Sequence, residues 1–278
     1  MKTKALASEI GIGATEPLSL RVSVAALTRV LFPHPDDNEV MLALERKATL
    51  LEENGQRLVG IKAQPFGGAL RIHDPKPLQD LIGEFHFDSE ESRAEQDFRI
   101  FIRPEDWTKV REFCLGRLGR LDDSVLEVDP ARELREEFAD ALKVDLKPNQ
   151  YTYQTIRTIV EDQPSPTENV NARGYLTTRI YRIFEARILD HALASAMIEN
   201  SKSCSDKNLR DLALQDSWRG GSGRTNAVLT LPLRVISDFY STLPPEGRNT
   251  PAWFHSHLLD ETVPATLDGI SVPKYQRL

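Results

Sequence analysis

The 278-residue chain has only two cysteines, Cys114 and Cys204, far apart and outside any CxxC spacing. That excludes a disulfide framework and a cysteine-rich zinc site, and two reduced thiols are expected. No apolar run approaches the roughly 20 residues that span a bilayer, so no membrane partner is expected. The opening stretch MKTKALASEIGIGATEPLSL starts basic, but acid and glycine interrupt it before a signal-peptide core develops, which makes the cytoplasm the expected compartment. An excess of basic residues is missing too. With a net charge of -7 and a pI of about 5.5, the chain is a poor candidate for gripping long nucleic acid, although a local basic pocket for a small phosphorylated ligand stays compatible. Internal repeats, long low-complexity tracts and linker-like stretches are also absent, which favours one elaborated domain.

The remaining composition, 40% hydrophobic and 28% charged, supplies enough apolar material for a sizeable core. The expected organisation is a tail over 1–17, a domain over 18–243 and an irregular, Pro-rich tail over 244–278. RVSVAALTRVLF places apolar residues on both sides of a strand, as in a strand covered twice. EVMLALERK reads as its return, and LLEENGQRLVGIKAQPFGGALRI runs through a turn at Asn54-Gly55 to a Pro-Phe-Gly-Gly break. Residues from 74 to about 126 combine strand-like EFHFDSEE and DFRIFIR with helix-like PEDWTKVREFCLGRL. QYTYQTIRTIV and YLTTRIYRIFEARIL predict an antiparallel pair, DHALASAMI a short helix, WRGGSGRTN a loop and AVLTLPL a strand. RVISDFYSTL predicts a closing helix with Val235, Phe239 and Leu243 among its apolar positions. The whole is a mixed sheet with helices packed on it.

The stretch VDPARELREEFADAL, Val128 to Leu142, concentrates the chemistry. Asp129 suits an N-cap and Pro130 the first helical position. Ala131, Leu134, Phe138, Ala141 and Leu142 form an apolar stripe at spacings of three and four. Glu133, Glu136, Glu137 and Asp140 repeat at i, i+3, i+4 and i+7 on another face. Like charges at such spacings repel by roughly 0.2–0.5 kcal/mol per pair. The residues alone leave two readings open: a solvated face softened by Arg132 and Arg135, or a seat for a hard divalent cation that shares substrate phosphate.

RELREEF resembles the second half of the Nudix box, G-x5-E-x7-R-E-U-x-E-E-x-G-U, with Arg132, Glu133, Leu134, Glu136 and Glu137 on its required positions. PFGGAL, with Gly67 and Gly68, resembles the glycine turn that opens the box, and two strands precede it in the order of that fold. Gly68 and Arg132 stand 64 positions apart, so about fifty residues are inserted within the box. The family's isolated glutamate position holds Ser124, with Glu127 the nearest substitute, and the box's terminal Gly and aliphatic are Ala139 and Asp140. The resemblance implies an α/β fold, a Nudix-type α/β/α sandwich with a mixed sheet and an α+β insertion over about 74–126.

It further implies Mg²⁺ or Mn²⁺ held by Glu133, Glu136 and Glu137, with Glu127 as a weaker fourth ligand, and catalysis through Glu136, Glu137 and Arg132. Arg132 orients a glutamate in this scheme, while Gly67, Gly68 and Arg71 face the substrate. The implied activity is hydrolysis of a phosphoanhydride bond in a nucleoside diphosphate linked to another moiety. A binding or sensor protein on the same fold is the alternative. PFGGALRI, DFRIFIR, the Trp107 segment and RTNAVLTLPL also resemble bacterial Nudix-like domains with such an insertion, some of them associated with nucleotide signalling.

Other candidates say less. Arg57, Lys62, Arg71, Arg173 and Arg224 are basic groups at strand ends or loops, where surface arginines and lysines are common. Gly220-Gly221-Ser222-Gly223 lacks the Lys-Ser/Thr of a P-loop and reads as a connector. His255 and His257 lack a third metal ligand, and with Trp253 they suit a surface or interface, a homodimer contact among the options.

Overall fold

β1 (Leu20–Pro33) is the spine of the molecule. Val22, Val24, Ala26, Val30 and Phe32 on one face and Leu27 and Leu31 on the other are all buried, so the strand is covered on both sides. β2 (Val40–Glu53) returns antiparallel, β3 (Gln56–Gln64) pairs with β2, and β4 (Phe66–Ala69) pairs with β1. The computed structural model describes residues 18–233, except 54, 55, 121, 128, 130, 168–171, 173 and 222, together with 266–267 and 270–271. The expected N-terminal tail, the Asn54-Gly55 turn, Pro130, Arg173, the closing helix with Val235, Phe239 and Leu243, and the segment with Trp253, His255 and His257 lie outside those residues. So do the side chains of Arg57 and Lys62.

The insertion supplies α1 (Lys76–Ile82), β5 (His86–Phe87), α2 (Glu90–Glu95), β6 (Arg99–Ile102) and α3 (Trp107–Leu118). It mixes helix and strand, but EFHFDSEE is strand only at His86–Phe87. Ser89 ends the extended stretch because its hydroxyl caps α2, accepting from the Ser92 amide at 3.0 Å. α1 went unanticipated: its buried contacts are Leu78 and Ile82 alone, too few to mark a helical period.

Beyond it lie α4 (Ala131–Leu142), β7 (Tyr151–Ser165), β8 (Leu176–Ile188), α5 (His191–Ser203), α6 (Asp206–Trp218) and β9 (Arg224–Pro232). β7 and β8 form the expected antiparallel pair, and β8 runs parallel to β1 from Leu20 to Leu31. Since β8 occupies that whole edge, β6, β4 and β2 share the other, taking Leu20–Ser23, Ala25–Thr28 and Val30–Pro33 of β1 in turn. β9 closes on β2. A separate two-stranded ladder joins 266–267 to 270–271.

Helices cover both faces. α4 and α5 pack with Val30, Phe32, Ala43 and Val228 on one face, and α3 covers Val22 and Val24 of the same face with Val110, Cys114 and Leu118. α6 lies on the opposite face, setting Leu209 and Ala213 against Ala48 and Ala227. This is an α/β/α sandwich around a mixed sheet. α6 too escaped sequence reading, because only those two side chains are buried, although Ser205 capping the Asn208 amide marks its start. Cys114 and Cys204 are free thiols. Among the described residues no helix is long and apolar enough to cross a membrane.

Candidate functional site

The two stems of the insertion zip together. Arg71 and Glu127 are joined by the Glu127 amide donating to the Arg71 carbonyl at 2.9 Å, and Ile72 bridges Leu126 in antiparallel fashion. Asp123 secures the return, accepting from the Val125 and Leu126 amides while Arg117 and Arg120 pair with it. The chain that left after the glycine turn therefore re-enters beside it, and α4 starts there. Asp129 accepts the Ala131 amide at 2.9 Å at the helix start. Lys143, at φ 58°, ends the helix in the left-handed conformation that a glycine commonly adopts.

Glu137 then meets the turn directly: the Gly67 amide donates to Glu137 Oε2 at 2.5 Å across 70 positions of sequence. Gly67 has φ +140°, and a Cβ there would collide with the Ala26 carbonyl oxygen. A Cβ on Gly68 would fall within 2.7 Å of Glu133 Cδ and closer to its Oε2, so the bare backbone makes room for that carboxylate. The acidic face is thus not uniformly turned to solvent, as the helical spacing alone suggested. Glu137 is buried, Glu133 half-buried, and Glu136 and Asp140 exposed. The glycines explain the difference: a side chain at 68 would exclude Glu133, and only a glycine at 67 can take the φ that sets its amide on Glu137.

Arg132 organises the rest. Its Nε and Nη2 grip both oxygens of Glu127 at 2.5 and 2.7 Å, Nη1 donates to Glu136 Oε2 at 2.8 Å, and Nη2 pairs with Glu133 Oε1 at 2.5 Å. Burial opposes its charge, but these carboxylates prevail and raise its pKa. Glu127 also accepts the Arg71 amide at 3.2 Å, so both of its oxygens are occupied. The Arg71 guanidinium turns to Glu95 of α2, at 2.9 Å.

One acid escaped sequence reading. Glu45 on β2 is fully buried, accepts from Gln64 Nε2 at 2.7 Å and has Lys47 Nζ 3.3 Å from Oε1, an oxygen with no hydrogen-bond donor. The signal was available: a glutamate inside MLALERK, immediately after the five apolar residues Val40 to Leu44 of a covered strand. Burial, then the charges of Glu45 and Glu133, push the Glu137 carboxyl well above the usual range, against the Gly67 amide and Lys47. Burial also raises Glu133. Among the described residues, no three His, Cys, Asp or Glu side chains stand in ready ligating geometry. The donor set nonetheless fits a hard divalent cation. All its donors are carboxylate oxygens, and while Arg132 pairs with Glu133, the buried charge of Glu45 and Glu137 is matched poorly by Lys47.

Beside the turn, on the sheet face away from α4, a cavity of about 190 Å³ is lined by Ser23, Ala25, Leu27, Gly67, Gly68 and Arg99 among others. Arg99 and Ser23 had not been singled out from sequence, and no local motif marks them. The glycine turn therefore separates an acidic wall from a cavity with a guanidinium at its rim.

A family model described as the SMODS-associated NUDIX domain matches residues 19–209, more than half of the chain and continuous through the insertion. No curated protein and no solved structure matches the chain.

Proposed function

Since the chain belongs to the SMODS-associated NUDIX domain family, which points to a hydrolase or nucleotide-binding role and to general use of divalent metals, we propose that it is a metal-dependent pyrophosphohydrolase. Its substrate is a nucleoside diphosphate linked to another moiety, and the reaction breaks the phosphoanhydride bond. The observation that carries this reading is the Gly67 amide bound to Glu137, which reunites the halves of a box split by about fifty residues.

Glu133, Glu136 and Glu137 are the residues that would hold Mg²⁺ or Mn²⁺, with Glu45 adding negative potential behind Glu137. When bound, such an ion polarises phosphoryl oxygens and offsets the charge that develops on the leaving phosphate. The Gly67 amide fixes the direction of the Glu137 carboxylate. Arg132 orients Glu133 and Glu136, and Glu127 anchors Arg132, so Glu127 is a positioning residue here. Gly67 and Gly68 let the main chain turn tightly and approach these acids.

The test is a screen of nucleotide sugars, dinucleoside polyphosphates, NAD-like dinucleotides, NTPs and cyclic oligonucleotides, with and without Mg²⁺ or Mn²⁺, on the native protein and Glu137→Gln. The expected result is metal-dependent hydrolysis of at least one compound, reduced by orders of magnitude in the variant. Equal turnover by both proteins would overturn the ligand assignment. A second reading, a nucleotide-binding sensor without turnover, is favoured by Arg132, whose guanidinium already neutralises Glu133 and Glu136. Binding without product in either metal selects it.

A further inference from the structure

The cavity beside the glycine turn has a floor made of three rows of the sheet. Ser23 of β1 lies opposite Arg99 of β6, Ala25 opposite Ala69 of β4, and Leu27 opposite Gly67. Directly paired residues share a face, so these rows all point away from α4. β6 and β4 adjoin end to end along one edge of β1, and only because the insertion returns there does a guanidinium stand at the end of the cavity. At about 190 Å³ the space is smaller than the roughly 300–1,000 Å³ of ordinary ligand pockets, and it suits one sugar phosphate better than a dinucleotide.

The chemistry of the walls is graded. Ala25 and Leu27 give an apolar middle, Ser23 a hydroxyl, and Gly67 and Gly68 bare backbone at the end nearest the acids. Arg99 is about one-third exposed, and its Nη1 pairs with Asp97 Oδ2 at 3.1 Å. A guanidinium has five N–H donors, so that contact leaves others for an anion. The neighbouring arginines are more deeply engaged: Arg21 with Asp88, Arg179 with Glu161 and Ser165. Burial pushes the Asp97 carboxyl up, against the Arg99 guanidinium beside it. Charge is therefore divided across the turn, carboxylates for a cation on one side and a guanidinium for an anion on the other.

We propose that this cavity is a sugar-phosphate subsite, in which Arg99 and Ser23 hold a phosphate monoester while the sugar lies over Ala25 and Leu27. The inference rests on reading the glycine turn and α4 as a nucleotide-processing site, and it makes the insertion a specificity element through β6. Arg99 is the residue that discriminates phosphorylated from unphosphorylated ligands.

Calorimetry in EDTA on the full chain tests this with three probes: AMP, ribose 5-phosphate and adenosine. The proteins are native, Arg99→Gln, Arg99→Lys and Ala25→Leu, each first checked for a native-like melting transition. AMP and ribose 5-phosphate should bind the native protein, and Arg99→Gln should weaken both by about tenfold or more, the loss expected for a hydrogen bond to a charged group. Arg99→Lys should weaken them less, adenosine should be insensitive to either change, and Ala25→Leu, which fills the cavity, should weaken both phosphates. Unchanged AMP affinity in Arg99→Gln overturns the proposal, as does absence of binding of both phosphates at millimolar concentration. Should Arg99→Gln not fold, unchanged phosphate binding in Ala25→Leu overturns it equally. Because no turnover is measured, the two readings fail separately. A protein that lacks hydrolysis but binds AMP through Arg99 contradicts only the enzyme, and one that hydrolyses with Arg99 irrelevant contradicts only the subsite.

Discussion

At the scale of residues, the proposed chemistry gathers where a side chain is missing. Gly67 offers its amide to Glu137, and Gly68 leaves the space that Glu133 fills. The acids were legible as letters of a motif, but their burial was not, since helical spacing cannot report that the facing strand sets glycines at 67 and 68 against them. Glu45 announced its burial as a charge within a covered strand, but nothing local says that a strand glutamate will come to rest near a helix ninety residues on. Burying these acids together has a measurable consequence. Glu137 holds its proton in the fold more tightly than in the unfolded chain, so at neutral pH its ionised form detracts from stability. Glu137→Gln keeps an oxygen for the Gly67 amide and removes that charge. The metal-free variant should therefore be more stable at pH 7.5 by about 1–2 kcal/mol, which for a domain of this size raises the melting temperature by roughly 2–8 °C. The same substitution should abolish most of the stabilisation that Mn²⁺ gives the native protein. Thermal melts with and without Mn²⁺ check both halves, and a metal-free variant that melts lower than native would contradict the account.

At the scale of elements, long periodic segments were readable and short ones were not. The two-sided apolar pattern of β1 and the pairing of β7 with β8 were apparent because many side chains repeat the same message. α1 and α6 each bury only two residues, below what a period can signal; α1 starts at a proline with no side-chain cap, and α6 starts on the single cap of Ser205. Cross-strand chemistry was equally hidden. Glu161 of β7 faces Arg179 of β8, whose Nη1 approaches Oε2 at 3.3 Å, while Oε1 is buried without a donor. Burial outweighs Arg179 and pushes Glu161 from 4.5 up to about 7. The folded state thus favours the protonated acid, and the contribution of this group to stability is complete below pH 4.5 and lost as pH rises through 7. Denaturation midpoints measured from pH 5 to 8 should fall for the native protein, and Glu161→Gln should flatten that part of the profile, by up to about 3 kcal/mol over the interval. An unchanged slope in the variant would remove Glu161 as the cause.

At the scale of the whole molecule, the insertion is built into the core rather than appended to it. Ile100 and Ile102 of β6 and Val110, Cys114 and Leu118 of α3 share one apolar cluster with Val22 and Val24 of β1. Excising residues 74–125 and joining the stems should therefore expose the edge of β1 and that cluster, and abolish cooperative unfolding by calorimetry. A shortened chain that melts as sharply as the native one would show the insertion to be separable. Sequence revealed the two halves of the box and the distance between them. It could not reveal that Arg71 and Glu127 close the gap, because that contact depends on the fold of everything in between. The central claim is that a turn at 67–68 and a helix starting at 131 make one cation site. Electron paramagnetic resonance of Mn²⁺ titrated into native protein and Gly68→Ala tests it most directly, since the added methyl falls on Glu133 and leaves α4 itself unchanged. The account expects one specific Mn²⁺ site in the native protein, weakened at least tenfold in Gly68→Ala while helix content by circular dichroism stays the same. Native-like Mn²⁺ affinity in Gly68→Ala would contradict it.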